Sequence, residues 1–492
     1  MEIIFAKNDN LENVSILTEK LNQHGLICGA TGSGKTVTLK VLTEHLSDLG
    51  IPVILSDVKG DLANLVNPGD PAKVQDRLDQ MDIKDFQASS FPVNLWDVYG
   101  DEGLPLRVSI SQMGPVFLGT ILELNEVQLG VLNIAFRIAD SQGLLLLDLK
   151  DLKSILRLIQ ENREEVSKEY GQVSGATIAA IQRKILLLED MGGNLFFSEP
   201  SLDIDDLLAE DKNHRGIINI LSARKLISNP RLYSMFLLWM LSELYERLPE
   251  VGDKEFPKLV FFFDEAHLLF ANASRDLNEK ILQLVRLIRS KGVGIFFVSQ
   301  NPLDIPDPVS SQLGTKIVHQ LRAFSPREIR MIKEISQSLR HNEDFNLEEV
   351  IQNLRTGEAI ITSPDQSGQP RPVEKALIYP PRSSFEALNL SDYNRIIQDS
   401  IFYDKYFHGL DRESAYELLA VRFEEEARLL RVQEEEKKLQ AEKKKQIALE
   451  REKQREKNNS PMTKIFNSAL YSFSRQIGRE IARGLLGSFK KK

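Results

Sequence analysis

Eight consecutive residues, Gly29-Ala30-Thr31-Gly32-Ser33-Gly34-Lys35-Thr36, carry the pattern G-x-x-x-x-G-K-[ST] in full. Glycines at these spacings let backbone N–H groups turn inward around phosphate oxygens, and a helix that follows adds the positive end of its dipole. The lysine neutralises charge on β- and γ-phosphates, and the hydroxyl beside it can join the shell of a Mg²⁺ ion. An apolar run, Gly25–Cys28, precedes the motif and a helical pattern, Thr36–Leu49, follows it. A glycine-rich turn with a chance lysine would have neither flank. Gly29 to Thr36 are therefore the expected nucleotide-binding residues, with Lys35 also catalytic and Thr36 also a metal ligand.

A second stretch, LVFFFDEAH (259–267), ends an apolar strand pattern in two acids. Asp264 is expected beside the Mg²⁺ shell. Glu265 can take a proton from water attacking the γ-phosphate in line, a general-base role. Nucleotide kinases need no such acid, so the pair favours ATP hydrolysis over transfer. His267 reads as a hydrogen-bonded neighbour with no catalytic role. The strand pattern Gly294–Ser299 runs into Gln300, which is placed either to sense the γ-phosphate and orient water or merely to end a strand.

The chain that must position these groups has 492 residues, 42% hydrophobic and 27% charged, the balance of a globular protein rather than a disordered one. Its longest apolar run, Met235 to Leu241, falls far short of the ~20 residues that cross a bilayer. The N-terminus lacks the basic-then-apolar layout of a signal peptide. A single cysteine, Cys28, makes neither an internal disulfide nor a multi-cysteine metal site. Together these predict a cytoplasmic protein. The net charge of −9 conceals a basic end, since residues 462–492 hold seven Lys/Arg against one Glu. A motor with DNA in a central pore can be acidic outside and basic inside, so the overall sign does not exclude nucleic acid.

Apolar strand patterns at 51–57, 216–221, 259–264, 294–299, 316–321 and 358–362 alternate with helical ones. This predicts an α/β fold with a mainly parallel sheet. Residues 1–69 and 211–380 form the two parts of the core. Residues 70–210 are too long for a connection and rich in helix signals beyond a strand at Val93–Trp96, so they read as a mostly helical insertion. A helical extension occupies 381–421. Residues 422–460 are densely charged without a sustained apolar heptad, which predicts a solvated single helix of about 54 Å laced by i,i+4 ion pairs. Ser460 and Pro461 then open a basic amphipathic helix over 461–492. Its stripe of Phe466, Leu470, Phe473, Ile477, Ile481 and Leu485 suits membrane or protein docking or packing on its own ring, and its arginines suit DNA phosphates.

In the stretches GATGSGKTVTLKVL (29–42), ILSDVKGDLANL (54–65), VLNIAFRIAD (131–140), GLLLLDLKDL (143–152), FFDEAHLLF (262–270), VGIFFVSQNPLDIP (293–306) and LRAFSPRE (321–328), the chain resembles the FtsK–HerA superfamily of P-loop motor ATPases. It is most similar to the bacterial HerA-like, YjgR-type group. The resemblance covers roughly residues 20–420. It implies a RecA-like core in a homo-oligomeric, usually hexameric, ring, ATP and Mg²⁺ between subunits, and a DNA translocase or helicase. It further implies an arginine that completes the neighbour's site, and Arg322 matches, with Arg327, Arg330, Arg286 and Arg289 as alternatives. Archaeal members carry a β-barrel before the motor, whereas 28 residues precede Gly29 here, so a nuclease or other protein partner is an expectation that does not transfer directly. Asp-Glu-Ala-His also marks two-lobed helicases, but no second lobe precedes the faint arginine motif at Gln476–Arg479. No LSGGQ-like signature of an ABC ATPase is present. Two other functions fit the same motifs: a ring ATPase remodelling a protein or secretion partner, and a nucleotide-switched binding protein.

Overall fold

The computed structural model describes residues 1–252, 254–271, 275–342, 346–458 and 461–486. It divides into a large unit, Met1–Tyr416, and a smaller one, Glu417–Lys492. The strands are β1 (Glu2–Asn8), β2 (Asn13–Leu17), β3 (Gly25–Cys28), β4 (Val53–Asp57), β5 (Val93–Asp97), β6 (Leu104–Pro105), β7 (Ile218–Ser222), β8 (Leu259–Phe263), β9 (Val293–Ser299), β10 (Thr315–His319), β11 (Glu358–Thr362) and β12 (Glu374–Ile378). All twelve join one sheet in the order β2-β1-β12-β11-β10-β3-β9-β8-β4-β7-β5-β6. From β10 to β6 every pairing is parallel. The edge from β11 to β2 is antiparallel. This is a RecA-like α/β core whose sheet is mainly parallel.

Burial on both faces explains the continuous apolar runs. Every residue of β3, β4, β8 and β9 is buried. The period of two splits the phenylalanines between faces. Phe262 and Phe296 stack at 5.2 Å in the cluster that also takes Leu39, Leu42 and Leu46 of α1 (Lys35–Asp48). Phe261 and Phe263, with Phe297 5.6 Å from Phe263, line the other side.

Two regions go beyond the sequence expectation. Strands β1, β2 and β12 extend the sheet on its antiparallel side, where the partly exposed faces of β1 and β12 weaken the apolar pattern. Within 70–210, β5 and β6 add to the opposite edge, next to β7. The rest of that segment is largely helical, with helices Ile110–Ile121, Glu126–Gln142, Leu149–Glu161, Arg163–Tyr170 and Gly175–Asp190. Ser109, Asn125 and Asp148 open three of them with capping boxes. Leu132, Ile155, Ile159, Ile181 and Ile185 form their buried seams.

A helix at Ala415–Asn458 carries the densely charged run, and another follows at Pro461–Leu486. Phe466, Leu470 and Phe473 are exposed on the latter. The expected cap Ser460 and the terminal lysines 490–492 lie outside the described residues. Among the described residues no helix is long and apolar enough to cross a membrane.

His24 fastens the start of β3 to its neighbours. Its Nδ1 accepts from the Ile295 N–H at 3.0 Å, and its Nε2 donates to the Val285 carbonyl at 2.8 Å. Both bonds require the neutral ring with its proton on Nε2. Burial pushes the imidazole down to about 4; the Val285 bond opposes this and the Arg289 charge adds to it. The unfolded chain protonates near 6.5 and so binds more protons between these values. Stability from His24 is therefore full above about pH 6.5 and is lost toward pH 4, at about 1.4 kcal/mol per unit. In His24→Gln, which has no titrating ring, urea unfolding should give a stability deficit relative to wild type that shrinks at that rate as pH falls from 6.5 to 4. A pH-independent deficit would contradict the neutral ring.

Candidate active site

The carboxyl ends of β3, β9, β8 and β4 lie side by side because those strands are parallel neighbours. The loop after β3 is pinned on two sides: Gly29 N–H donates to the Ser299 carbonyl at 3.3 Å, and Ala30 N–H to that of Gln320 at 2.7 Å. Gly34 sits at φ 117°, and a Cβ there would lie 3.1 Å from the backbone of Gly357. Glycine alone suits both demands. As the residue before α1 it offers no side-chain cap, which leaves the first N–H groups of the helix open to an anion. The Ser33 hydroxyl is buried with no protein partner. Thr36 is half-buried in the first turn of α1.

Lys35 turns back into this loop, its Nζ donating to the carbonyls of Gly29 at 2.7 Å and Ala30 at 3.0 Å. Burial and the nearby Lys59 charge lower its pKa, while Glu265 and Asp264 act in the other direction. An anion in the loop would restore the balance. The orphan hydroxyl, the open helix start and the crowded lysine all fit a bound phosphate.

β8 ends at Phe263, and the two acids follow, both buried. Burial drives Asp264 up to about 7; the Lys59 charge opposes this, and Glu265 and Asp57 add to it. A cation beside it would relieve that cost. Among the described residues no cluster of three or more His, Cys, Asp or Glu could hold a metal. Glu265 sits at φ 48°, a left-handed conformation that is rare for glutamate and concentrates at functional sites. The next residue is anchored, Ala266 N–H donating to Val298 O at 2.9 Å.

Three groups converge on the Glu265 carboxylate. Lys59 Nζ is 2.7 Å from Oε1, His267 Nδ1 is 3.3 Å from Oε2, and Gln300 Nε2 donates to Oε1 at 3.1 Å. Burial raises its pKa, but the Lys59 bond and charge and the Gln300 bond outweigh that and hold it below the usual range. The other end of the Gln300 amide, Oε1, accepts from the Thr31 hydroxyl at 3.0 Å. One side chain thus bridges the phosphate loop and the second acid.

The structure brings Thr31, Lys35, Asp264, Glu265 and Gln300 into one connected cluster. It does not bring Arg322 there. That residue is exposed in the loop after β10 and makes no hydrogen bond or ion pair among the described residues. Arg327 and Arg330 are exposed on the helix Pro326–Gln337, and Arg286 and Arg289 lie near the opposite, amino ends of the strands.

Two residues of the site carry no motif. Lys59 follows β4, where Asp57 accepts the N–H groups of Lys59, Gly60 and Leu62 and so turns the chain toward Glu265. Its signal lay in the stretch DVKGDLANL, which matches the superfamily without naming a role. His319 ends β10, with Nδ1 donating to Glu358 O at 2.9 Å and Nε2 2.8 Å from Thr38 Oγ1, and thereby backs the loop at Gly29.

Known proteins agree with this architecture. The chain is 25% identical over 379 residues to the DNA double-strand break repair helicase HerA of Sulfolobus acidocaldarius, covering 71% of this chain and 64% of that one. With HerA of Saccharolobus solfataricus it shares 27% identity over 350 residues, 69% of this chain and 61% of the relative. The chain thus spans less than two thirds of these relatives' length. Among solved structures, the unbound bacterial conjugative coupling protein TrwB superposes with a TM-score of 0.53 at 14% identity, over 77% of this chain and 89% of that one. The same coupling protein with an ATP analogue gives 0.52 at 14% identity, over 79% and 96%. These structures share the fold. The family described as helicase HerA-like C-terminal matches residues 2–492, and the chain belongs to it.

Proposed function

We propose that the protein is an ATP-hydrolysing, ring-forming motor that moves along DNA in the cytoplasm, with the core halves 1–69 and 211–380 as its engine and 70–210 as a helical insertion. The observation that carries this reading is the unbroken polar chain Thr31–Gln300–Glu265–Lys59, which links the phosphate loop to a charged carboxylate. In the proposed mechanism residues 29–36 bind the triphosphate, and Lys35 neutralises its β- and γ-phosphates. Thr36 and Asp264 would hold Mg²⁺, which supplies charge neutralisation on the phosphates. Glu265, kept ionised by Lys59, takes the proton of the attacking water, and Gln300 orients that water and reports the γ-phosphate.

Hydrolysis needs one further charge on the outer phosphate. Arg322, exposed and unpaired among the described residues, is suited to supply it to a neighbouring subunit in a homo-oligomeric ring. The names of the HerA relatives support DNA as the polymer; a nuclease or other protein partner remains part of this reading, and the basic C-terminal helix is assigned to DNA or a membrane surface.

ATPase turnover measured with and without duplex DNA tests the polymer. Stimulation by DNA is expected, and equal rates would favour a protein-remodelling ring or a nucleotide switch. Mixing tests the ring. Arg322→Ala and Glu265→Gln subunits, each slowed by about 10²-fold or more alone, should partly recover ATPase when shown to exchange, because some interfaces then pair an intact Glu265 with an intact Arg322. Flat activity in verified mixed rings would move the role away from Arg322.

A further inference from the structure

On the side of the sheet opposite the phosphate loop lies a cavity of about 560 Å³, built from the amino ends of β3 and β10, the carboxyl end of β11 and the helix that precedes β9. Four cations line it: Arg286, Arg289, Lys316 and Arg340. Among the described residues no carboxylate lines it, although acids outnumber bases in the chain, 71 to 62. None of the four forms an ion pair among the described residues. Lys316 Nζ donates to the Ser338 carbonyl at 3.3 Å and lies 3.2 Å from its hydroxyl, and Arg340 Nη1 donates to the Pro370 carbonyl at 2.9 Å. Lys316 and Arg340 are therefore aimed by neutral acceptors, and among the described residues the charge of all four is left uncompensated.

We propose that this cavity is a binding site for the phosphodiester backbone of DNA, an inference that rests on the DNA reading given above. Converging cations with no acid call for an anion. The rest of the lining distinguishes a backbone from a free nucleotide. It contributes serine, glutamine and threonine donors, with Leu313 and Pro370 as apolar side chains and, among the described residues, no Phe, Tyr or Trp on which a base could stack. Such a surface reads phosphates without reading sequence, as a translocating motor requires. Its place at the amino edge keeps it clear of the chain's own nucleotide loop, so one subunit can hold both ligands at once.

The test is the salt dependence of duplex binding by the full chain, followed by fluorescence anisotropy with Mg²⁺ and a non-hydrolysable ATP analogue present. Each phosphate contact contributes about 0.9 to the slope of log K against log salt. Lys316→Gln/Arg340→Gln should lower the slope by about 1.8, whereas the control Lys84→Gln/Lys212→Gln, on exposed lysines elsewhere, should leave it unchanged. Thermal unfolding checks that the variants are folded. Arg340→Gln, at an exposed side chain, gives the same test with a loss of about 0.9 if the double variant does not fold. A wild-type slope in the folded variants would overturn the site while leaving DNA binding intact. Lost ATPase turnover with an unchanged slope would also overturn it, assigning the cations to a neighbour's nucleotide. A wild-type protein that binds no duplex would overturn both this site and the DNA reading.

Discussion

Because β9 lies between β3 and β8, a single side chain at its carboxyl end can touch both the phosphate loop and the acid pair. Gln300 does so, accepting from Thr31 and donating to Glu265. Any other strand order would separate the loop from the acids by a different strand end, and the link between triphosphate and base would need other residues. The aromatic ladder beneath, with Phe262 on Phe296 and Phe263 on Phe297, holds β8 and β9 in the register that makes this contact possible.

The electrostatics follow from burying several charges in one place. Asp57, Asp264, Glu265 and Lys35 are all buried, and Lys59 is drawn in beside them. Unequal partners separate the two acids: Glu265 has a cation at 2.7 Å and stays ionised, whereas Asp264 has the Glu265 backbone N–H but no ion pair among the described residues and is driven toward its neutral form. Neighbouring carboxylates pushed apart in this way are suited to different tasks, in the proposed mechanism one as base and one as a seat for a cation. Lys35, crowded by Lys59 and held by loop carbonyls, is the complementary feature on the side of the phosphates.

What could be read before folding was whatever depends on short spacing. The eight loop residues and the Asp264-Glu265 pair are contiguous, and the strands that carry them are buried on both faces, so their apolar runs are plain. Gln300 was legible as a strand end, but its two bonds depend on the strand order. Lys59 and His319 are invisible to local pattern because their partners, Glu265 and Thr38, are far away in sequence. The antiparallel strands β1, β2 and β12 were missed for another reason: β1 and β12 are only partly buried and mix polar residues with apolar ones, so their apolar runs are broken. Arg322 stood out by resemblance, and its own chain offers it no partner.

The central claim is that the Gln300 bridge couples the bound triphosphate to the base. The most direct measurement is the Gln300→Ala variant, with nucleotide affinity and single-turnover hydrolysis determined on the same preparation. Affinity within a few-fold of wild type, with hydrolysis slowed by about 10²-fold, is the expected result, since Lys35 and the backbone of the loop are untouched and only the Thr31 hydroxyl loses its acceptor, while Glu265 loses a fixed donor. Wild-type hydrolysis in that variant would show that the bridge is structural and that another group connects the phosphate loop to Glu265.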